Sequence, residues 1–370
     1  MIGLDYIDSL FAVCNLEGRD LNGWHVVSKI PAPDPAKKET GGNFSICYIV
    51  EKGGEEYFMK VLDMRNCNIG ELPSGYSRAE YIEKCTREFN YEKRLSSYCD
   101  NKKIKSVIAY IDSGDVTLNE FPFGDVSYII YEKADGDIRR VLNLSKKLIF
   151  TEQLKNISLK LKSLHDITVG IQQLHKNEIS HQDMKPSNVL SIQGKSKIGD
   201  LGRSLCLSPD VSCPYPFDFN GDYTYAPPEA FFFCGTSKEK KELYQMDCYM
   251  LGSLIVFYIS GISFNIMMNS HLPISIREMV LSGKTYDEAK PDLINAYHEA
   301  LLDFEKDIPL EDIRKELTQI VEYLCNPDVA RRGHPKNLGF KNRTPDYDLI
   351  RTFTEIDKLY RKAELGLLRE

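Results

Sequence analysis

His181-Gln182-Asp183-Met184-Lys185-Pro186-Ser187-Asn188-Val189-Leu190 is the stretch on which the reading of this chain turns. It gathers an imidazole, a carboxylate, an ammonium and a carboxamide into one short polar segment. Just upstream, Ile157, Leu161, Leu164, Ile167, Ile171 and Leu174 keep the three-and-four spacing of a helix with one apolar face. Short strand and loop segments occupy 178–203, and an irregular proline-rich stretch runs to Pro228. The remainder reads as mostly helical. It ends in a helix over 346–368 with Leu349, Phe353, Ile356, Tyr360, Ala363 and Leu367 on one stripe.

Ahead of the helix at 157–174 the pattern is β-rich. Trp24–Ile30 reads as a strand, followed by a proline-rich loop from Pro31 to Pro35. Phe44–Val50 and Glu56–Leu62 flank Lys52-Gly53-Gly54 and predict a hairpin. A helix is expected over Ser77–Tyr98, with Ile82, Cys85, Phe89, Leu95 and Cys99 near one face. Strands are expected at Ser106–Ile111 and Val126–Tyr131. The fold class is therefore α+β, with a small antiparallel-sheet lobe carrying one helix, then a larger, mainly helical lobe.

Composition narrows the function. The chain has 370 residues, 42% of them hydrophobic, enough for a large core in one domain or two coupled lobes. Its net charge of −7 includes no basic stripe for a phosphate backbone, which argues against nucleic acid as partner. The 10 cysteines are scattered, with no C-x-x-C pair and no zinc-ligand spacing. They read as reduced thiols of a cytoplasmic protein. The acidic N-terminus lacks the basic and apolar regions of a signal peptide. Cys248–Met268 carries no charge and is long enough to span a bilayer. It is interrupted by Gly252, Ser253, Ser260, Gly261, Ser263 and Asn265, and it is expected to be a buried central helix.

The segment 181–190 resembles the catalytic loop H-R-D-L-x-x-x-N of the eukaryotic-like (Hanks-type) serine/threonine protein kinases. The resemblance makes Asp183 the base that orients and deprotonates the attacking hydroxyl, and Asn188 a ligand of magnesium or manganese. Lys185 would lie near the γ-phosphate of ATP. Lys197-Ile198-Gly199-Asp200-Leu201-Gly202 resembles the D-F-G element, with Leu201 for phenylalanine and Asp200 as the second metal ligand. Tyr225-Ala226-Pro227-Pro228-Glu229 is similar to A-P-E. Asp247 and Gly252 match the D-x-x-x-x-G start of the family's central helix. Asp328-Val329-Ala330-Arg331-Arg332 resembles the late element whose arginine pairs with the A-P-E glutamate, so either Arg331 or Arg332 is expected to meet Glu229.

The first lobe departs further from the family. Thr40-Gly41-Gly42-Asn43-Phe44-Ser45 stands where the phosphate-covering G-x-G-x-x-G belongs, with Gly41, Gly42 and Asn43 left to approach phosphate. Lys60 occupies the position of the strand lysine that holds the α- and β-phosphates. Its helix partner is Glu92, which sits on the apolar stripe where a lone carboxylate is costly, with Glu88 as the fallback. By resemblance Glu132 and Ala134 form the hinge to adenine, with Tyr131 behind it, and Asp137 reaches the ribose. The threonine that supports the catalytic aspartate in the serine/threonine branch is Asp222 here, with Thr224 available only if the loop shifts.

The resemblance covers residues 24–340, divided into 24–134 and 135–340. Residues 1–23 and 341–370 fall outside it as extensions. It implies a protein substrate phosphorylated on serine or threonine, no membrane span, and a prokaryotic member of the family. Two alternatives stand beside it. A small-molecule kinase of the aminoglycoside type shares His-x-Asp, Asn and a metal-binding Asp, but generally lacks the A-P-E element. A nucleotide-binding pseudokinase scaffold usually loses one of the four groups retained here at Lys60, Asp183, Asn188 and Asp200.

Overall fold

The computed structural model describes residues 4–31, 45–70, 72–142, 150–214, 221–232, 240–277, 285–338 and 347–366. The chain divides into two compact units, Met1–Ala134 and Asp135–Glu370.

In the first unit, α1 (Leu4–Ser9) precedes β1 (Asp20–Leu21), β2 (Trp24–Lys29), β3 (Ser45–Lys52) and β4 (Glu55–Leu62). Then come α2 (Arg65–Ile69), α3 (Arg78–Asn101), β5 (Tyr110–Thr117) and β6 (Asp125–Glu132). The strands form one sheet in the order β1-β2-β3-β4-β6-β5, each neighbour antiparallel. Gly53 (φ 67°) and Gly54 (φ 83°) turn β3 into β4. Two successive positive φ values make the primed hairpin turn that fits strand twist, and glycine adopts them without strain.

One face of the sheet buries Tyr48, Val50, Met59, Val61, Val126 and Ile130. Phe11, Ala12, Val13, Leu16 and Leu21 pack into the same core, so the segment ahead of residue 24 is part of this unit's interior. β5 starts later than the Ser106–Ile111 expectation. Val107 of that run is buried, as is Ile104 ahead of it, just after Lys103 (φ 58°) at the end of α3, and the ladder begins only at Tyr110.

α3 is started by a capping box in which Ser77 and Glu80 satisfy each other's amides. Its buried face reads Tyr81, Cys85, Phe89, Glu92, Leu95, Ser96 and Cys99. Tyr81 holds the buried position expected for Ile82, which is only partly buried.

The second unit opens with β7 (Gly136–Asp137), α4 (Ile138–Val141), α5 (Phe150–Lys176), β8 (Ile179–Ser180), β9 (Val189–Ile192), β10 (Lys195–Ile198) and β11 (Leu205–Cys206). Small ladders pair β10-β9-β7 and β11-β8. Helices follow: α6 (Pro228–Phe231), α7 (Lys240–Ser260), α8 (Phe264–His271), α9 (Ile274–Arg277), α10 (Tyr286–Asp307), α11 (Glu311–Leu324), α12 (Pro335–Leu338) and α13 (Ile350–Glu364). α13 packs along α5 and buries Ile356, Leu359 and Ala363, so it belongs to this unit's core.

The expectation of one central helix over Cys248–Met268 needs correction. α7 begins earlier, at Lys240, and ends at Ser260. Gly261 (φ 79°) breaks it, and α8 leaves at 87°. No single helix among the described residues is long and apolar enough to cross a membrane. Gly252 explains its own place in the motif, because an added Cβ would come within 2.4 Å of Cys325 Sγ where α7 meets the end of α11.

Candidate functional site

In the first unit, strand pairing and helix face converge on one ion pair. Lys60 stands on β4 opposite Cys47 and Ile129, between the buried Met59 and Val61. Its Nζ donates to both carboxylate oxygens of Glu92, at 2.7 and 2.8 Å. The two side chains are 17% and 6% exposed, so the charge on α3's apolar stripe is compensated where it lies. This selects Glu92 over Glu88 as the partner of Lys60. Tyr131 Oη donates to Glu92 Oε1 at 3.2 Å and lies 3.0 Å from Ser96 Oγ, one helical turn beyond Glu92. The sequence offers no direct signal for that clamp, since it depends on the cross-sheet register of β6.

Glu132 pairs tightly with Ala109. Its carboxylate accepts the Ala109 N–H at 2.6 Å, and its own N–H donates to the Ala109 carbonyl at 3.0 Å. Ala134 is the last residue of the unit. Gly41, Gly42 and Asn43 lie outside the described residues.

In the second unit the segment 181–190 is held from beneath by Asp247 of α7, which is fully buried. Asp247 accepts the N–H groups of His181 and Gln182, both at 2.9 Å, and the Ser180 hydroxyl at 2.8 Å. His175 Nε2 lies 2.8 Å away. Burial opposes its charge, yet these donors, His175 first, hold its carboxyl below the usual carboxylate range. Gln182 sits in the left-handed region at φ 62°, and its amide turns inward to Ser180 Oγ (2.6 Å) and the Leu243 carbonyl (3.1 Å).

Asp183 is the focus. Asn188 Nδ2 donates to its backbone carbonyl at 2.8 Å and to its Oδ2 at 3.0 Å. Lys185 Nζ lies 3.0 Å from Oδ2, and the backbone N–H of Asp222 donates to Oδ1 at 2.7 Å. Asp183 is thus a buried acceptor held by donors on both oxygens. Asp222 Oδ2 lies 3.6 Å from Lys185, and Asp222 Oδ1 accepts the Thr224 N–H at 2.8 Å. Asp222 therefore stands at the supporting position, and Thr224 is exposed. The replacement of threonine by aspartate at 222 was legible in the sequence, but the backbone bond to Asp183 was not.

Asn188 and Asp200 flank the same end of the β9–β10 hairpin, where Val189 faces Ile198 and the Gly199 N–H donates to the Asn188 carbonyl at 2.8 Å. Asp200 is exposed, sits at φ 55°, and caps the turn Leu201–Arg203. The Asn188 amide nitrogen is spent on Asp183, while its oxygen takes a long bond of 3.4 Å from the Ser187 hydroxyl. One amide oxygen and one exposed carboxylate suit a hard divalent ion that takes phosphate and water as its remaining ligands. Asp137 caps α4, and both its carboxylate oxygens are engaged by Arg139, with Nη2 to Oδ2 at 2.7 Å and Nε to Oδ1 at 3.1 Å.

Arg332, not Arg331, meets Glu229. Its guanidinium is fully buried and reaches both carboxylate oxygens, at 2.5 and 2.9 Å. Arg331 is exposed beside Asp328.

Compared with known proteins, the chain matches the family described as Protein kinase domain over residues 41–338. It is similar to Inhibitor of nuclear factor kappa-B kinase subunit alpha of Danio rerio, with 33% identity over 120 residues, covering 31% of this chain and 14% of that protein. Against the Xenopus laevis protein of the same name it is 29% identical over 213 residues, covering 55% of this chain and 26% of the relative. A third relative is "Probable serine/threonine-protein kinase irlC" of Dictyostelium discoideum, 26% identical over 172 residues, covering 44% of this chain and 11% of that protein. This chain therefore covers only 11% to 26% of the length of these relatives.

Proposed function

We infer the activity from family and site together: this chain belongs to the Hanks-type protein kinases, and we propose that it moves the γ-phosphate of ATP to a serine or threonine hydroxyl of a protein. The observation that carries the reading is the state of Asp183, a buried carboxylate held on both oxygens by Asn188, Lys185 and the Asp222 amide. A carboxylate so fixed can orient an acceptor hydroxyl and take its proton without reorganising. Asn188 and Asp200 would hold magnesium or manganese, whose role when bound is to offset charge on the transferring phosphoryl group. Lys60, fixed by Glu92, is assigned to the α- and β-phosphates. Glu132 and Ala134 are assigned to adenine, and Gly41, Gly42 and Asn43 to the phosphate-covering turn.

For Asp137, a ribose contact has to share the carboxylate with Arg139. Lys185 two residues after Asp183 follows the serine/threonine style, and the name of the Dictyostelium relative agrees with it. The scattered thiols favour a reducing, cytoplasmic setting. The intact set of Lys60, Asp183, Asn188 and Asp200 favours an active enzyme over a pseudokinase, and the Glu229–Arg332 pair favours a protein acceptor over a small alcohol.

The test is incubation with labelled ATP, magnesium and a generic protein substrate, followed by phosphoamino-acid analysis. Wild type should yield phosphoserine or phosphothreonine. Asp183→Asn should lower the rate by about two or more powers of ten while remaining folded. A folded Asp183→Asn variant of wild-type activity, or label found only on a small alcohol, would show the reading to be wrong.

A further inference from the structure

The carboxylate at Asp222 changes the charge of the acceptor site. Asp222 uses three groups at once. Its Oδ1 closes a turn onto the Thr224 N–H (2.8 Å), and that turn aims its own N–H at Asp183 Oδ1 (2.7 Å). Its Oδ2 faces Lys185 (3.6 Å), which is already 3.0 Å from Asp183. One ammonium thus serves two carboxylates, where a threonine at this position would leave it serving one. The Asp222 side chain is 32% exposed against 6% for Asp183, so it is the more accessible of the two carboxylates.

We propose that Asp222 is a specificity-determining residue, whose extra negative charge beside Asp183 selects acceptor segments with lysine or arginine flanking the phosphorylated hydroxyl. The proposal rests on the protein-kinase reading above. A carboxylate at close range in a partly screened site distinguishes a cationic from a neutral neighbour by about tenfold.

Two peptide pairs test it. One pair has a central serine flanked on both sides by lysine or by glutamine. The other has alanine in place of the serine, so that binding is read by fluorescence anisotropy whether or not transfer occurs. Asp222→Asn removes the charge but keeps an oxygen for the Thr224 N–H, and Asp222→Glu keeps the charge. Wild type should bind the lysine-flanked alanine peptide about tenfold more tightly than its glutamine counterpart, and kcat/KM for the serine pair should show the same ratio. The ratio should fall towards one in Asp222→Asn and persist in Asp222→Glu. An unchanged ratio in a folded Asp222→Asn variant, or no preference in wild type, overturns the proposal. Charge-selective binding lost in Asp222→Asn, with no phosphate transferred to either serine peptide, supports it while sinking the kinase activity, so the two failures are distinct.

Discussion

Lys160 gives the most quantitative test of the fold. It lies on α5, 4% exposed, and burial alone pushes its ammonium down from 10.5 to about 8. In the unfolded chain the group titrates near its ordinary value of about 10.4. Between these two values the unfolded state binds more protons than the native state, so native stability rises with pH across that window. Below about 8 both states are protonated and the full penalty remains. The drop corresponds to about 3 kcal/mol, at about 1.4 kcal/mol for each pH unit. Lys160→Met keeps most of the stem and removes the charge. It should therefore raise the unfolding free energy by about 3 kcal/mol at pH 7, with the advantage shrinking to about 1 kcal/mol at pH 9.5. Urea denaturation of both proteins at several pH values measures this. Comparing the two at each pH cancels the buried tyrosines, which they share. A variant less stable than wild type, or an advantage constant from pH 7 to 9.5, would refute the reasoning.

Two further outcomes follow from other contacts. Arg332→Met strands the Glu229 carboxylate in a buried site and should cost about 3–5 kcal/mol in denaturant unfolding, while the double change with Glu229→Gln should recover part of that loss; a cost under about 1 kcal/mol would mean the pair is solvated. Because the Gln182 amide points inward to Ser180 and Leu243, no guanidinium stands before Asp183 to receive a phosphate, so activity should survive phosphatase treatment. Abolition by phosphatase, with recovery on rephosphorylation within 200–229, would contradict this.

How much of this was legible in the sequence depended on whether an interaction is local. The hairpin at Gly53-Gly54 and the helix start at Ser77 both arise within a few residues, where turn chemistry and spacing decide the geometry. Glu92 was legible for another reason, since a carboxylate on an apolar stripe demands a partner. What failed was long-range or subtractive. Cys248–Met268 is uniformly apolar, and uniform hydrophobicity has no period to mark the break at Gly261. The choice between Arg331 and Arg332 turns on which side chain points inward from a short 3-10 turn, and adjacent residues give no prior for that. The burial of Phe11, Ala12, Val13, Cys14 and Leu16 depends on a sheet face whose unfilled area cannot be seen from the segment itself.

The strained backbone around Asp183 shows what such distant contacts accomplish. Gln182 and Asp200 adopt left-handed conformations without being glycine, which costs about 1–2 kcal/mol each. Such strain persists only where the surroundings impose it. For Gln182 the imposing group is Asp247, whose ionised carboxylate takes the N–H groups of both His181 and Gln182 in the dry interior of α7. Hydrogen bonds to a charged acceptor contribute about 1.5–3 kcal/mol each, so two of them outweigh the strain of one residue. The conformation that presents Asp183 to its donors is therefore fixed by a carboxylate 65 residues downstream of Gln182 in sequence. The same balance explains the use of a charged group at Asp247: a neutral acceptor there would make each bond about half as strong, leaving the two together little margin over the strain at Gln182.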